Sequence, residues 1–153
     1  MKINSIYRTI LPLTILVLGI NHAQAASAIY KTFFGSKAIG GYDAVAYHSS
    51  QQAVKGSKHH ILRWKGANWF FSSAKNLAAF KAEPEKFAPQ FGGYCAWAVA
   101  EKNQLVKIDP TVFDLVDGKL YLNYNQDTQR KWRADRSGMI HRGNVHYGKL
   151  ITE

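Results

Sequence analysis

The chain has a single cysteine, Cys95, among 153 residues, so it cannot form an internal disulfide. It also lacks a Cys-x-x-Cys pair, a glycine-rich phosphate loop, a dinucleotide fingerprint and a recognisable His-Asp relay. These absences argue against a dithiol oxidoreductase and against a nucleotide-dependent enzyme. Stability must therefore come from packing, unless two chains pair through Cys95.

The sequence carries enough apolar residues for one packed domain. Its hydrophobic share is 46%, its charged share is 20% and its aromatic share is 13%. This composition is typical of a globular chain, and the length leaves little room for a second domain. We expect four large residues to be buried together in one core: Trp69, Phe80, Trp97 and Leu120.

The first 25 residues differ from the rest. Lys2 and Arg8 precede an apolar run that ends at Ile20, and Ala23-Gln24-Ala25 supplies small residues at a cleavage site. This order is typical of a secretory signal peptide, and the apolar run is too short to cross a bilayer. We expect residues 1–25 to be removed, leaving residues 26–153 as one domain that is periplasmic or secreted.

Acidic residues are half as frequent as basic ones, 10 against 20. Removal of the predicted signal peptide takes away Lys2 and Arg8 and lowers the formal charge from +10 to +8. Such a charge favours weak contact with anionic surfaces. Nucleic acid is not an expected partner, because the cationic C-terminal part lacks the interleaved aromatic residues of a stacking platform.

Hairpin and helix signals alternate along the chain. A hairpin is predicted around Gly66, in "ILRWKGANWFFS", and a second at Asp117-Gly118. Helices are predicted between Ser73 and Glu83, from Tyr94 to Glu101, and from Gln126 to Arg136. The pattern indicates an α+β fold: a small single domain in which short antiparallel hairpins pack against several short helices.

Several motifs occur in the order seen in one known family: "YKTFFG", "GYDAVAYHSS", "WKGANWFFSSAKNLAAFKAEPEKFAPQFGGYCAWAV" and "DGKLYLNYN". Together they resemble the exported bacterial branch of the YHS-domain family, over nearly all of residues 26–153. The resemblance implies a small binding module, since related modules are thought to bind metal through cysteines between a hairpin and a helix. Ser72 and Asn76 stand here at the positions of those cysteines, so the thiolate pair is missing. We expect Ser72 or Ser73 to cap the following helix, and we favour Ser72.

Cys95 has three interpretations. If it lies in the first turn of a helix after Gly92-Gly93, the helix dipole stabilises a thiolate that can react or bind metal. If its apolar neighbours bury it, it is an inert core residue. A soft ion such as copper suits a lone thiolate with an imidazole neighbour.

The other candidates come from the remaining distinctive segments. His48 is the histidine best placed to join Cys95 as a metal ligand, because its segment is the other distinctive family block. Asp43 is expected to cap a turn or helix, with orientation of a ligand as the sharper alternative. Tyr94 is a further candidate for the wall of a pocket.

Three functions follow from these residues. The first is a periplasmic YHS-like binding module for a soft metal ion, copper, or for a small ligand. The second is a basic interaction protein with a purely structural Cys95. The third is a thiol-dependent enzyme that uses Cys95 as nucleophile, which we rank last because no partner base is evident. The sequence indicates neither the ligand nor the oligomeric state.

Overall fold

A computed structural model describes residues 27–152, and the predicted signal peptide therefore lies outside the described residues. The strands form two antiparallel pairs: β1 (Ser57–Trp64) with β2 (Ala67–Phe71), and β3 (Asp109–Val116) with β4 (Lys119–Asn123). The helices are α1 (Ala44–Ser49), α2 (Ala74–Ala82), α3 (Pro84–Phe87), α4 (Gln126–Ala134) and α5 (Arg136–Leu150). The predicted α+β class is confirmed. Within residues 27–152, none of the helices is long and apolar enough to span a membrane.

Both predicted hairpins are present. The β1–β2 turn uses Lys65 and Gly66, and the β3–β4 turn uses Asp117 and Gly118, all with positive φ. Two consecutive positive φ values match the twist of the flanking strands, and a glycine adopts such a value at little cost. The local turn residues therefore determine where each hairpin folds back.

The first hairpin supplies much of the core. Trp69 is fully buried and its ring centroid lies 4.8 Å from that of Phe80 on α2 and 5.5 Å from that of Trp64. Leu120 belongs to the same buried cluster, as expected. Trp97 does not, because its ring is only partly buried and lies between this cluster and a second one around Trp132.

Helix α2 begins one residue later than the Ser72 cap predicts. The Ser73 side chain accepts a hydrogen bond from the backbone N–H of Asn76 at 3.1 Å, so Ser73 is the N-cap. Of the two expected caps, Ser73 is confirmed and the favoured Ser72 is wrong, since the Ser72 hydroxyl donates to the side chain of Asp43. Glu83 ends α2, where Pro84 begins α3.

Cys95 does not lie in the first turn of a helix. It forms an isolated parallel bridge with Leu122, and its N–H donates to the carbonyl of Val106 at 3.0 Å. These contacts hold Cys95 extended, so the helical turn starts only after it and becomes a π-helix over Ala98–Lys102. Cys95 stands directly before the helical turn, since its carbonyl accepts from the N–H of Val99 at 3.0 Å, so only the expected place inside the first turn is wrong. A reactive or metal-binding thiolate at Cys95 stays a prediction.

The C-terminal helix α5 was not expected from the sequence. It contains Gly138, Gly143 and Gly148, and glycine lowers intrinsic helix propensity. Packing compensates for the low helix propensity. A Cβ at Gly143 would overlap the ring of Phe91, so only glycine at this position lets α5 pack directly against that ring. The Asp135 side chain accepts from the N–H of Gly138 at the start of the helix.

We predict that Trp69→Ala destabilises the fold by about 3–5 kcal/mol, because a fully buried indole leaves a cavity. Trp97→Ala is the matched control and should lose clearly less, since its ring is only partly buried. Urea unfolding followed by circular dichroism measures both. Equal losses would contradict the division of the two tryptophans between core and periphery.

Candidate functional site

Asp43 lies at the N-terminus of α1 and is fully buried. Its Oδ1 accepts hydrogen bonds from the N–H groups of Val45 at 2.9 Å and Ala46 at 3.3 Å. The cap role predicted for Asp43 is confirmed. The bond to Val45 satisfies an N–H group that has no partner inside the helix, and the Ala46 N–H donates to the backbone carbonyl of Asp43 as well, at 3.2 Å.

The other carboxylate oxygen of Asp43 joins α1 to the segment between β2 and α2. Oδ2 accepts from the N–H of Ser72 at 2.8 Å, from the Ser72 hydroxyl at 2.6 Å and from the Asn76 amide at 2.8 Å. Ser72 and Asn76 are the residues that stand where the resemblance implies cysteines. The sequence did not predict this network. About thirty positions separate Asp43 from Ser72 and Asn76, and the residues next to Asp43 give no indication of its distant partners.

The network leaves Asp43 little capacity for a metal ion. A carboxylate offers about four lone-pair sites. Five donors already point at the two oxygens of Asp43. Hydrogen bonds thus fill the place that the resemblance assigns to a metal.

The Cys95 thiol is also fully buried and bonded within the protein. Its Sγ accepts from the N–H of Tyr124 at 3.3 Å and donates to Oδ1 of Asn123 at 3.6 Å. The same Asn123 oxygen accepts from the N–H of Trp97 at 3.2 Å. In the part of the chain that the structure describes, no His, Asp or Glu hydrogen-bonds to Cys95, so the geometry favours a structural thiol over a nucleophile.

His48 lies in the last turn of α1 and is partly buried. Its ring meets that of Phe87 edge to face, with centroids 5.4 Å apart, and its Nε2 is buried with no hydrogen-bond partner among residues 27–152. Burial lowers the pKa of His48, the carbonyl of Phe87 opposes that shift, and the Lys86 ammonium adds to it. The neutral imidazole is therefore favoured in the folded chain.

The four sequence candidates have separate partners. The hydroxyl of Tyr94 donates to the carbonyl of Ser27 at 2.9 Å, and burial raises the pKa of Tyr94. No hydrogen bond among the described residues joins any two of Cys95, His48, Asp43 and Tyr94. Nor do residues 27–152 contain a group of three or more His, Cys, Asp or Glu side chains that could hold a metal ion. Copper binding by Cys95 and His48 stays a prediction.

A cleft of about 210 Å³ lies between the first hairpin turn, the segment after α3, and α5. Its lining includes three aromatic residues and four polar ones: Trp64, Phe91, Tyr147, Lys65, Glu85, Gln90 and Asn144. Sequence reasoning missed this site, because its walls come from separate segments that only the tertiary fold brings together.

One opposed pair of charges stands at the cleft. The Lys65 ammonium lies 2.7 Å from Oε1 of Glu85 and 4.5 Å from the centroid of the Trp64 ring. The side-chain amides of Gln90 and Asn144 make no hydrogen bond within residues 27–152. The cleft can therefore offer a cation, an anion and two amides to a polar molecule.

We predict that Asp43→Asn lowers the free energy of unfolding by about 2–4 kcal/mol. The substitution turns one acceptor into a donor that faces other donors, and buried groups left without partners are expensive. The control Asp127→Asn, at the exposed start of α4, should leave stability nearly unchanged. Denaturant unfolding of both variants is the measurement, and equal effects would show that the network does not hold the fold together.

Stability should fall below about pH 6.5 through His48. Its folded pKa lies below the unfolded value, so the unfolded chain takes up the proton first as the pH falls. The contribution of neutral His48 to the free energy of unfolding is fully present above the pKa that His48 has in the unfolded chain. It is lost as the pH falls through the lower pKa of the folded chain. Urea unfolding between pH 7.5 and 5 measures this decrease in the free energy of unfolding. We expect the decrease to be smaller in His48→Gln, whereas the exposed control His59→Gln should show the same decrease as the parent.

A comparison of the chain with models of protein families finds no match, a search among curated proteins finds no similar sequence, and a search among solved structures finds none that matches. The function therefore has to be argued from the geometry of this chain.

Proposed function

We propose that the chain is an exported, YHS-like binding module whose ligand is a small zwitterion, a molecule of amino-acid size with one ammonium and one carboxylate. The observation that carries the proposal is the opposed pair Lys65 and Glu85 at a cleft that also contains two side-chain amides with no hydrogen bond within residues 27–152. This is the small-ligand form of the function that the sequence predicts.

The size of the cleft supports a small ligand. Its volume of about 210 Å³ is below the range of roughly 300–1,000 Å³ that is common for sites of drug-sized molecules. The aromatic rings of Trp64, Phe91 and Tyr147 supply apolar walls, and polar groups at a few positions fix orientation. Burial raises the pKa of Tyr147 to about 12, so its hydroxyl remains neutral.

The charges support a ligand with no net charge. A carboxylate can pair with the Lys65 ammonium while an ammonium pairs with Glu85 and lies near the Trp64 ring, as Lys65 itself does now. Breaking the Lys65–Glu85 pair to admit the ligand costs little, because both side chains are solvent-exposed and exposed ion pairs contribute only about 0–1 kcal/mol. The ligand replaces one weak pair by two.

Native mass spectrometry of the protein recovered from cells distinguishes the functions that the sequence predicts. A retained organic mass supports the zwitterion module. A retained copper mass that disappears in Cys95→Ser or His48→Ala would overturn it in favour of the metal module. Protein recovered empty, with no binding in the titration below, would favour the basic interaction protein.

Titration of the purified protein with a panel of amino acids, followed by calorimetry, tests the site itself. We predict that Glu85→Gln weakens binding of the best panel member about two- to fivefold, the effect of losing one exposed ion pair worth up to about 1 kcal/mol. The matched control is Glu83→Gln, which breaks the exposed pair with Lys86 outside the cleft lining and should not alter binding. Equal affinity in both variants would contradict the site.

A further inference from the structure

The loop that precedes α1 is closed by its own hydrogen bonds. The N–H of Thr32 donates to the carbonyl of Lys37 at 3.0 Å, and the N–H of Lys37 donates to the Thr32 hydroxyl oxygen at 3.2 Å. That hydroxyl donates in turn to the carbonyl of Phe34 at 2.7 Å. The segment from Thr32 to Lys37, called the FF loop below, is therefore a closed turn.

The FF loop is also attached to the edge of β2. The N–H of Asn68 donates to the carbonyl of Ser36, and the N–H of Ala38 donates to the carbonyl of Asn68, both at 2.9 Å. The Asn68 side-chain amide adds a bond to the carbonyl of Gly35 at 3.1 Å. These bonds hold the loop in one position, so its side chains are presented by a rigid base.

Two aromatic side chains protrude from this loop. Phe33 is 93% exposed and Phe34 is 83% exposed, whereas the other large exposed apolar residues are at most 47% exposed. The two rings contact each other edge to face, with centroids 5.0 Å apart. Adjacent, almost fully exposed phenyl rings are unfavourable in water, so this pair indicates a surface that is covered by something else.

The segment that contains the FF loop is strongly cationic. Residues 27–76 contain seven lysines and arginines and one acidic residue, the buried Asp43: the cations are Lys31, Lys37, Lys55, Lys58, Arg63, Lys65 and Lys75. Within residues 27–152, only Lys65 of these forms a salt bridge. Lys31 directly precedes the loop, Lys37 is its last residue, and Arg63 lies opposite Asn68 in the β1–β2 register.

We propose that the FF loop docks the protein reversibly onto an anionic phospholipid bilayer. Phe33 and Phe34 enter the boundary between headgroups and acyl chains while Lys31, Lys37 and Arg63 remain at the level of the phosphates. Aromatic residues and cations favour these two depths, respectively. Neither signal is strong by itself, and two weak signals together give measurable, reversible attachment.

A bilayer fits this surface better than a protein does. The two rings form a convex tip, which a deformable lipid surface accommodates without a preformed pocket. A second copy of the chain would need an apolar groove, whereas the cleft described above is lined by charged and amide groups as well as rings. Apart from buried Asp43, residues 27–76 contain no acidic residue, and within residues 27–152 Glu85 is the one acid that pairs with their cations. The excess of positive charge matches the negative charge of the bilayer.

Co-sedimentation of the cell-processed protein with vesicles of phosphatidylglycerol or phosphatidylcholine tests the proposal. We expect binding to phosphatidylglycerol that weakens in high salt, because exposed charges are screened. Phe33→Ser with Phe34→Ser should weaken it at least about tenfold, since two apolar rings no longer leave water. The matched control Val145→Ser removes another exposed apolar side chain, on α5, and should have no effect.

The lysines are tested separately. Lys31→Gln with Lys37→Gln should weaken binding about fivefold for each charge removed. Lys81→Gln with Lys119→Gln removes the same charge from other exposed positions and should weaken it clearly less. Circular dichroism and urea unfolding confirm that each variant is folded.

Three results would overturn the proposal. The first is equal binding by the parent and the phenylalanine variant. The second is equal binding to both lipids. The third is a parent dimer that the phenylalanine substitutions convert to a monomer without altering vesicle binding, which would make the FF loop an interface between two copies of the chain.

Discussion

The carboxylate of Asp43 is the interaction on which the surrounding structure depends. It is fully buried and accepts hydrogen bonds from α1 on one oxygen and from the β2–α2 segment on the other. A buried carboxylate is tolerated only when such partners replace water. Because Ser72 and Asn76 supply them, the start of α1, the end of β2 and the first turn of α2 have one fixed arrangement.

The same network uses the two positions, Ser72 and Asn76, at which the resemblance to metal-binding modules implies cysteines. The hydroxyl of Ser72 and the amide of Asn76 donate hydrogen bonds to the Asp43 carboxylate, whereas thiolates at these positions would bind a soft metal ion. Cys95 is separately satisfied by Asn123 and Tyr124. The cleft that we propose as the ligand site is lined instead by an ammonium, a carboxylate and two amides.

The two proposed surfaces differ in how they would recognise their partners. The cleft presents balanced charge, through Lys65 and Glu85, to a small molecule. The FF loop presents two phenyl rings within a cationic segment to an extended anionic surface. Lys65 belongs to that cationic segment as well, and it is the one cation there that forms a salt bridge within residues 27–152.

The sequence by itself determined the features that depend on neighbouring residues. Gly66 and Gly118 allow the tight turns of the two hairpins, and the cap chemistry of Asp43 starts α1. Each signal lies within a few positions of the element that it predicts, so the turn and cap chemistry could be recognised without knowing the fold.

Only the tertiary structure decided the rest. Cys95 is extended because it pairs with Leu122 in a distant strand, and α5 forms despite its glycines because Gly143 fits against the ring of Phe91. The bond from Ser72 to Asp43 likewise joins residues 29 positions apart. Such contacts form only when separate segments pack together, and packing energies override local propensity, so no local pattern could have predicted them.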